Sequence, residues 1–385
     1  MKLNKNNRPL ILILFLFLTA FNSTAFSKDS NQQKLTFDLN NKTILNYIIN
    51  NQVKEPFKFA GLATYLNQVH YYVVDEDGIY NLDRNKTEPV NLDDGQWLAA
   101  VGRFEVMIIK AADAKVSFDE KQQISVQLLR DKSQSYLIRK PHLKELAPEL
   151  DQIRYNHLWK PFALISKLSE SLLVLIQSTT TLSWGVSILL FALIIKLLML
   201  PVSLMTSKSQ EKVSKISSQL QPKLKAIKSK YDGEEAHNKI MQAHKDLGVS
   251  PFYTLKPMLS FLIQIPILIA IFNALGEMPQ LLNQSFMWFD DLSKPDRFMA
   301  LNFHIPLLGE DLNFMPIIMT FITLLSTVFH TDKHASDHDN KKQKFKLYLM
   351  AVSFLLLFYP FPAAMVMYWA MANLLQFFQQ KISLK

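Results

Sequence analysis

Apolar positions come in long blocks separated by polar stretches, not in the every-other-residue alternation of a half-buried sheet. The first block, residues 10–21, follows Lys2, Lys5 and Arg8 and precedes the small residues Ser23-Thr24-Ala25, the layout of an export signal over residues 1–27. It is either cut after Ala25 or kept as an anchor. Residues 28–155 then turn polar, with short β-prone runs at 69–74, 104–109 and 124–129. Asp75-Glu76-Asp77-Gly78 after the first run is a hairpin signal, and no calcium-loop spacing follows it. A small all-β, sandwich-like domain is predicted here. Within residues 156–183, Trp159, Phe162, Ile165, Leu168 and Leu172 recur at helical spacing, predicting an amphipathic helix on a membrane surface. Five apolar segments follow at 184–205, 252–275, 312–329, 347–361 and 362–378, predicting a five-span helical core over 184–381. Tyr359-Pro360-Phe361-Pro362 must break the last stretch, because two prolines in three residues do not fit one straight helix.

Composition sharpens this picture. Charged residues make up 19% of the 385, below the roughly 25% of soluble domains, while 49% are hydrophobic. The absence of Cys excludes disulfides, thiolate metal sites, a Cys nucleophile and a lipid anchor on an N-terminal Cys. The net charge of +9 is unevenly placed: residues 206–250 hold nine Lys against five acids and 330–346 hold five more Lys, whereas 276–311 hold one Lys and one Arg against six acids. The positive-inside rule places both basic loops and the Lys381, Lys385 end in the cytoplasm, with the β-domain and the acidic loop outside. The predicted class is an α-helical polytopic membrane protein with a signal or anchor, five core spans and a small all-β periplasmic domain.

Lys196 is the first candidate for chemistry, because it stands about 12 residues, or on the order of 18 Å, from the outer end of its span at Trp184. A charge near mid-bilayer costs about 2.5–3.5 kcal/mol on insertion scales and such residues usually face a bundle interior or water. Snorkelling to the headgroups is the alternative, but the reach is long. Polar residues also recur at helical spacing on other spans: Ser260 and Gln264; Thr320, Thr323 and Thr327; Asn373, Gln376 and Gln380. Each set alone reads as interhelical glue, but with a charge on a further span they predict a water-bearing groove. Residues 206–250 read as a helical hairpin broken at Tyr231-Asp232-Gly233, whose Lys212, Lys215, Lys223, Lys225 and Lys228 form either a solvated face or a contact for acidic headgroups, RNA or an incoming chain. His330, His334 and His338 recur every four residues in a loop too polar for a dependable helix, so no metal is predicted. No cofactor is predicted either: Gly is too sparse for a phosphate loop, and no serine nucleophile elbow or zinc-protease helix is present.

Several of these pieces occur together in one order: Trp184-Gly185-Val186-Ser187-Ile188 leading to Lys196, then Leu200-Pro201, Leu220-Gln221-Pro222-Lys223-Leu224, Gly248-Val249-Ser250-Pro251, Gln264-Ile265-Pro266-Ile267, Asp291-Leu292-Ser293-Lys294-Pro295-Asp296, and Tyr368-Trp369 with Asn373-Leu374. The set resembles the YidC/Oxa1/Alb3 membrane protein insertase family. The resemblance implies a groove open to the cytoplasm and the lipid, an inner-membrane location, newly made membrane proteins as clients, and the Sec translocon and ribosome as further partners. No specific nucleic acid is expected as a partner, nor any enzymatic activity. In the family a cation, usually Arg, occupies the groove, and Lys196 matches that position. Lys keeps the charge but lacks the planar five-donor fork. Pro362-Ala363-Ala364 departs from the more common Pro-Ser-Gly turn. A secondary transporter or channel using Lys196 is the competing reading, weakened by the lack of an internal repeat between the halves.

Overall fold

The computed structural model describes residues 34–37, 46, 48–86, 88–110, 113–128, 134–305, 308–329 and 337–383. The signal segment, His330 and His334 lie outside them. The chain divides into two compact units, one formed by Met1–Ile188, Ala270–Phe314 and Tyr359–Met365, the other by Leu189–Ile269, Met315–Phe358 and Val366–Lys385.

The first unit is built on nine strands: β1 (Lys34–Phe37), β2 (His70–Val74), β3 (Ile79–Asn81), β4 (Val90–Leu92), β5 (Trp97–Val101), β6 (Glu105–Lys110), β7 (Ala114–Phe118), β8 (Ile124–Leu128) and β9 (Gln134–Arg139). They form a six-stranded sheet, ordered β1-β9-β6-β5-β2-β3, and a three-stranded sheet, ordered β4-β7-β8. All pairings are antiparallel. Tyr71, Val73, Leu98, Ala100, Met107 and Ile109 on one face of the larger sheet pack with Leu92, Val116, Phe118, Ile124 and Val126 of the smaller one. The other face, with Val74, Ala99, Val101, Val106 and Ile108, is covered by Leu143, Leu150 and Ile153 of a short helical stretch. Burial on both faces explains why Trp-Leu-Ala-Ala-Val in β5 and Val-Met-Ile-Ile in β6 are continuous apolar runs. The turn at 75–78 joins β2 to β3 with Val74 opposite Ile79, and Asp75 Oδ1 accepts the N–H groups of Asp77 and Gly78, each at 3.0 Å.

Among the described residues eight α-helices follow: α1 (Lys160–Thr180), α2 (Trp184–Leu198), α3 (Leu200–Lys230), α4 (Gly233–Asp246), α5 (Lys256–Glu277), α6 (Phe314–Phe329), α7 (Asp337–Phe358) and α8 (Ala363–Ser383). Helix α1 extends seven residues past the amphipathic stretch 159–173, and its buried face is not the apolar stripe. Ser166, Ser169, Glu170, Leu173 and Ile176 are buried, while Leu164, Leu168 and Leu175 are exposed. Ser166 Oγ donates to the Ala270 carbonyl at 2.9 Å, and Glu170 accepts from the Tyr155 hydroxyl and from Arg154 Nη2, each at 2.7 Å. The side that faces protein thus mixes polar with apolar residues, while three leucines face out, unlike a helix that sheds its polar side into water.

Among the described residues α1 is the one helix long and apolar enough to cross a membrane alone, and the pair α2–α3, bent by 56°, adds a second. The other predicted spans are shorter as helices or mixed in character. Helix α5 runs 22 residues and is apolar over Gln264–Glu277, α6 is apolar over Phe314–Val328, and the first half of α7 carries Asp337, Asp339, Lys341, Lys342, Lys344 and Lys346. The expected span 184–205 is interrupted at Met199, where Pro201 has no N–H for the helix ladder. Within the first unit, Gly185 in the first turn of α2 lies so close to Phe286 that a Cβ there would meet its ring at 2.1 Å.

The acidic loop 276–311 also contains a hairpin that charge counting did not predict, β10 (Met299–Ile305) antiparallel to β11 (Gly309–Leu312). Before it, Asp291 Oδ1 accepts from the Ser293 N–H at 2.9 Å and the Ser293 hydroxyl at 2.6 Å. The carbonyls of Lys294 and Leu292 then accept the N–H groups of Ala363 and Ala364 at 2.7 and 3.0 Å, satisfying the first turn of α8. The Asp-Leu-Ser-Lys-Pro segment is therefore a helix cap supplied from far away in sequence. Asn313, the single residue between β11 and α6, donates its N–H to the Tyr359 hydroxyl at 3.0 Å and its Nδ2 to the Tyr359 carbonyl at 2.7 Å. The Tyr359 hydroxyl donates in turn to the Asp311 carbonyl at 2.8 Å.

Candidate functional site

In the second unit, α8 carries Asn373, Gln376 and Gln379 three residues apart, each bonded to a different helix. Asn373 Nδ2 donates to Thr323 Oγ1 of α6 at 3.3 Å. Gln376 Oε1 accepts from Lys196 Nζ of α2. Gln379 and Ser203 of α3 exchange hydrogen bonds of 2.9 and 3.1 Å. A polar layer thus links four helices among largely apolar neighbours, where unpaired amides and an ammonium would be costly. Lys196 is half-buried in the last turn of α2, beside the bend, where helix carbonyl dipoles favour a cation. Gln376 takes one of its three N–H donors, leaving donor capacity for water or a carboxylate.

The structure brings Lys196, Gln376, Asn373 and Thr323 into this layer. Thr320 and Thr327 are buried, and their hydroxyls donate to carbonyls of their own helix, at Pro316 and Thr323. Gln264 on α5 is exposed and outside these hydrogen bonds. Ser203 and Gln379 were missed: a spacing of three then four from Asn373 picks Gln380, while three then three picks Gln379. Lys212, Lys215, Lys223, Lys225 and Lys228 are all exposed along α3. Leu220, Ala243 and Tyr253 form the small core of its hairpin with α4, with Val213, Ile216 and Leu224 packed against them.

The first unit holds a separate buried charge cluster. Arg103, 4% exposed in the β5–β6 turn, donates Nε to the Gly276 carbonyl and Nη2 to the Ser293 carbonyl, each at 2.6 Å, and pairs with Glu55 at 3.3 Å. Its guanidinium lies over the Phe59 and Phe104 rings at 4.7 and 4.4 Å. Lys140 Nζ meets Glu277 Oε2 at 2.5 Å, and His157 Nε2 lies 3.1 Å from Glu277 Oε1. A cavity of about 180 Å³ opens among Tyr65, Gln68, His70, Arg103, His157 and Glu277.

His70 stacks on His157 with ring centroids 5.1 Å apart and planes 8° from parallel. Burial and the neighbouring His157, with smaller help from the cations Arg84 and Lys140, pull the His70 imidazole down to about 4, against the upward pull of Glu277. With a folded value below the unfolded 6.5, both states are neutral above pH 6.5, and only the unfolded chain takes the proton between 6.5 and 4. Stability from this group is therefore full above pH 6.5 and lost as pH falls through 4. The expected loss is about 1–2 kcal/mol after discounting for the solvent-facing part of the ring. Thermal unfolding in detergent at pH 7.5 and 4.5 checks it, since His70→Gln is expected to flatten the slope.

Residues 175–385 match the family described as 60Kd inner membrane protein. A membrane protein insertase YidC of Chloroherpeton thalassium is 34% identical over 200 residues, 51% of this chain and 32% of that protein. A namesake from Syntrophobacter fumaroxidans is 32% identical over 201 residues, covering 51% of this chain and 34% of its own. One from Chlorobaculum tepidum is 31% identical over 247 residues, 62% of this chain and 39% of that protein. The chain thus spans 32–39% of the length of these curated relatives. The matched region contains Lys196, Ser203, Thr323, Asn373, Gln376 and Gln379, so the polar layer lies wholly inside the part that defines the family. With more than half of its residues inside that match, the chain belongs to the 60Kd inner membrane protein family, that of YidC and Oxa1.

Proposed function

We propose that the protein is an insertase and folding chaperone that moves newly made proteins into the bacterial inner membrane, alone or beside the Sec translocon. The observation that carries this reading is the Lys196–Gln376 contact, a cation held by an amide within otherwise apolar helices. In this reading the helical core crosses the membrane five times, the β-domain and the 276–311 loop are periplasmic, and the α3–α4 hairpin is cytoplasmic, as the lysine distribution requires. The polar layer is the floor of a hydrophilic groove formed by Lys196, Gln264, Thr320, Thr323, Thr327, Asn373 and Gln376.

The physics of transfer follows. A polar segment crossing a bilayer loses hydration of its backbone and charges, and a wet groove shortens the dry part of the path. Helix α6, with 16 residues, is roughly 24 Å long against about 30 Å of hydrocarbon, which favours local thinning. The apolar part of the client then gains about 25 cal/mol per Å² on entering lipid, so no nucleotide is needed. The exposed hairpin lysines offer a cytoplasmic contact for the ribosome or for acidic client segments.

Proteoliposomes containing only this protein are expected to speed protease-protected insertion of a small single-span client over empty liposomes. Equal rates in the two preparations would overturn the insertase reading.

A further inference from the structure

Strand β10 reads Met-Ala-Leu-Asn-Phe-His-Ile, and its register against β11 shifts between Ala300 and Ile305, so its alternate residues do not form one continuous face. Apolar side chains are nonetheless left uncovered: Met299 is 51% and Phe303 62% exposed, and Phe298 just before the strand is half exposed. A two-stranded ribbon is marginal in water, so these side chains need a cover. The chain offers one candidate medium. Only Asn313 separates β11 from α6, so the hairpin sits at the outer end of an apolar helix. Trp288, Phe298 and Phe314 cluster at that junction, with Phe298 and Phe314 centroids 5.1 Å apart and Trp288 and Phe314 5.7 Å apart. Such aromatic groups gather where hydrocarbon meets headgroups. The Arg297–Asp311 pair, at 2.6 Å, marks the polar root of the hairpin.

We infer that the β10–β11 hairpin lies in the outer boundary of the bilayer, with Phe298, Met299 and Phe303 against the acyl chains just below the lipid headgroups. Depth is limited by the backbone. A two-stranded ribbon has two open edges whose N–H and C=O groups cannot be stripped of water in the hydrocarbon core, but they are satisfied in the interfacial zone. The hairpin is then a lipid-facing flange on the outer bilayer surface, joined in sequence to the start of α6 through Asn313. The inference rests on the reading of α6 as a membrane span, and the test separates the two.

The chain has no Cys, so single-Cys variants carry a single fluorophore. Phe303→Cys, Phe321→Cys on α6 and Asp94→Cys in the turn before β5 would be labelled with an environment-sensitive dye and reconstituted in phosphatidylglycerol–phosphatidylethanolamine vesicles. The label at 303 is expected to be quenched several-fold more by a nitroxide placed high on the lipid chain than the label at 94, and to be shielded from a water-soluble quencher. The label at 321 should respond to a deep nitroxide. A lipid-quenched 321 label with a water-accessible 303 label overturns the hairpin placement and keeps the span. Shielding of 303 from both quenchers also overturns it, because protein then covers the face. Water access at both 303 and 321 removes the span itself, and the inference with it.

Discussion

Replacing Arg103 with Ala is expected to destabilise the β-unit by about 3–5 kcal/mol, the cost of breaking a buried pair and stranding its partner. The guanidinium links three distant segments: the Glu55 carboxylate, the Gly276 carbonyl at the end of α5 and the Ser293 carbonyl in the loop that caps α8. Without it, the Glu55 side chain, 3% exposed, keeps a charge it cannot hydrate, and two carbonyls lose charge-assisted donors. Arg103→Lys is expected to fall between, because an ammonium cannot span both carbonyls with a planar fork. The double variant Arg103→Met with Glu55→Leu should recover much of the loss, since no lone buried charge remains. Unfolding midpoints in detergent, with exposed Lys86→Ala as the reference, measure all three. A change under about 0.5 kcal/mol for Arg103→Ala, the range of ordinary surface substitutions, would contradict this account.

The second large effect is expected at Lys196. At an effective dielectric of about 20 and a separation of roughly 8 Å, one carboxylate is attracted by about 2 kcal/mol, more than tenfold in rate if the attraction is felt in the rate-limiting step. Lys196→Ala should therefore slow insertion of clients with acidic external tails by an order of magnitude or more. Lys196→Arg should retain most activity, and clients with neutral tails should be little affected by either change. The client dependence separates charge attraction from damage to the fold, which would slow every client alike. Protease protection in proteoliposomes with paired acidic and neutral clients reads this directly. Equal activity of the Ala variant on acidic clients would end the attraction role.

Much of the architecture was legible because its signals are local. A single Lys in Ile-Ile-Lys-Leu-Leu cannot be mistaken for surface, and Tyr231-Asp232-Gly233 separates α3 from α4 at the residues where the helices end. The prolines around Phe361 separate α7 from α8 in the same way. What was not legible depends on distant pairing. Lys140 and Glu277 lie 137 positions apart, and Arg103 reaches a carbonyl 190 positions away. Such partners leave no pattern in a one-dimensional sequence. The β10 strand was different, since its alternation was present but was read as part of an acidic loop. Helix lengths were misjudged for a physical reason: hydropathy sees an apolar run, whereas a helix also bends where Pro201 removes a donor and extends where charged residues such as Lys341 and Lys344 still favour it.

The Asn313–Tyr359 contacts limit how α6 and α7 can move. The residues leading into α6 and out of α7 are stapled by three hydrogen bonds, and near the other end of the pair Lys344 Nζ of α7 donates to the Val328 carbonyl of α6 at 3.2 Å. The two helices are therefore fastened like the rails of a ladder, with a rung near each end, and parting them costs bonds at both.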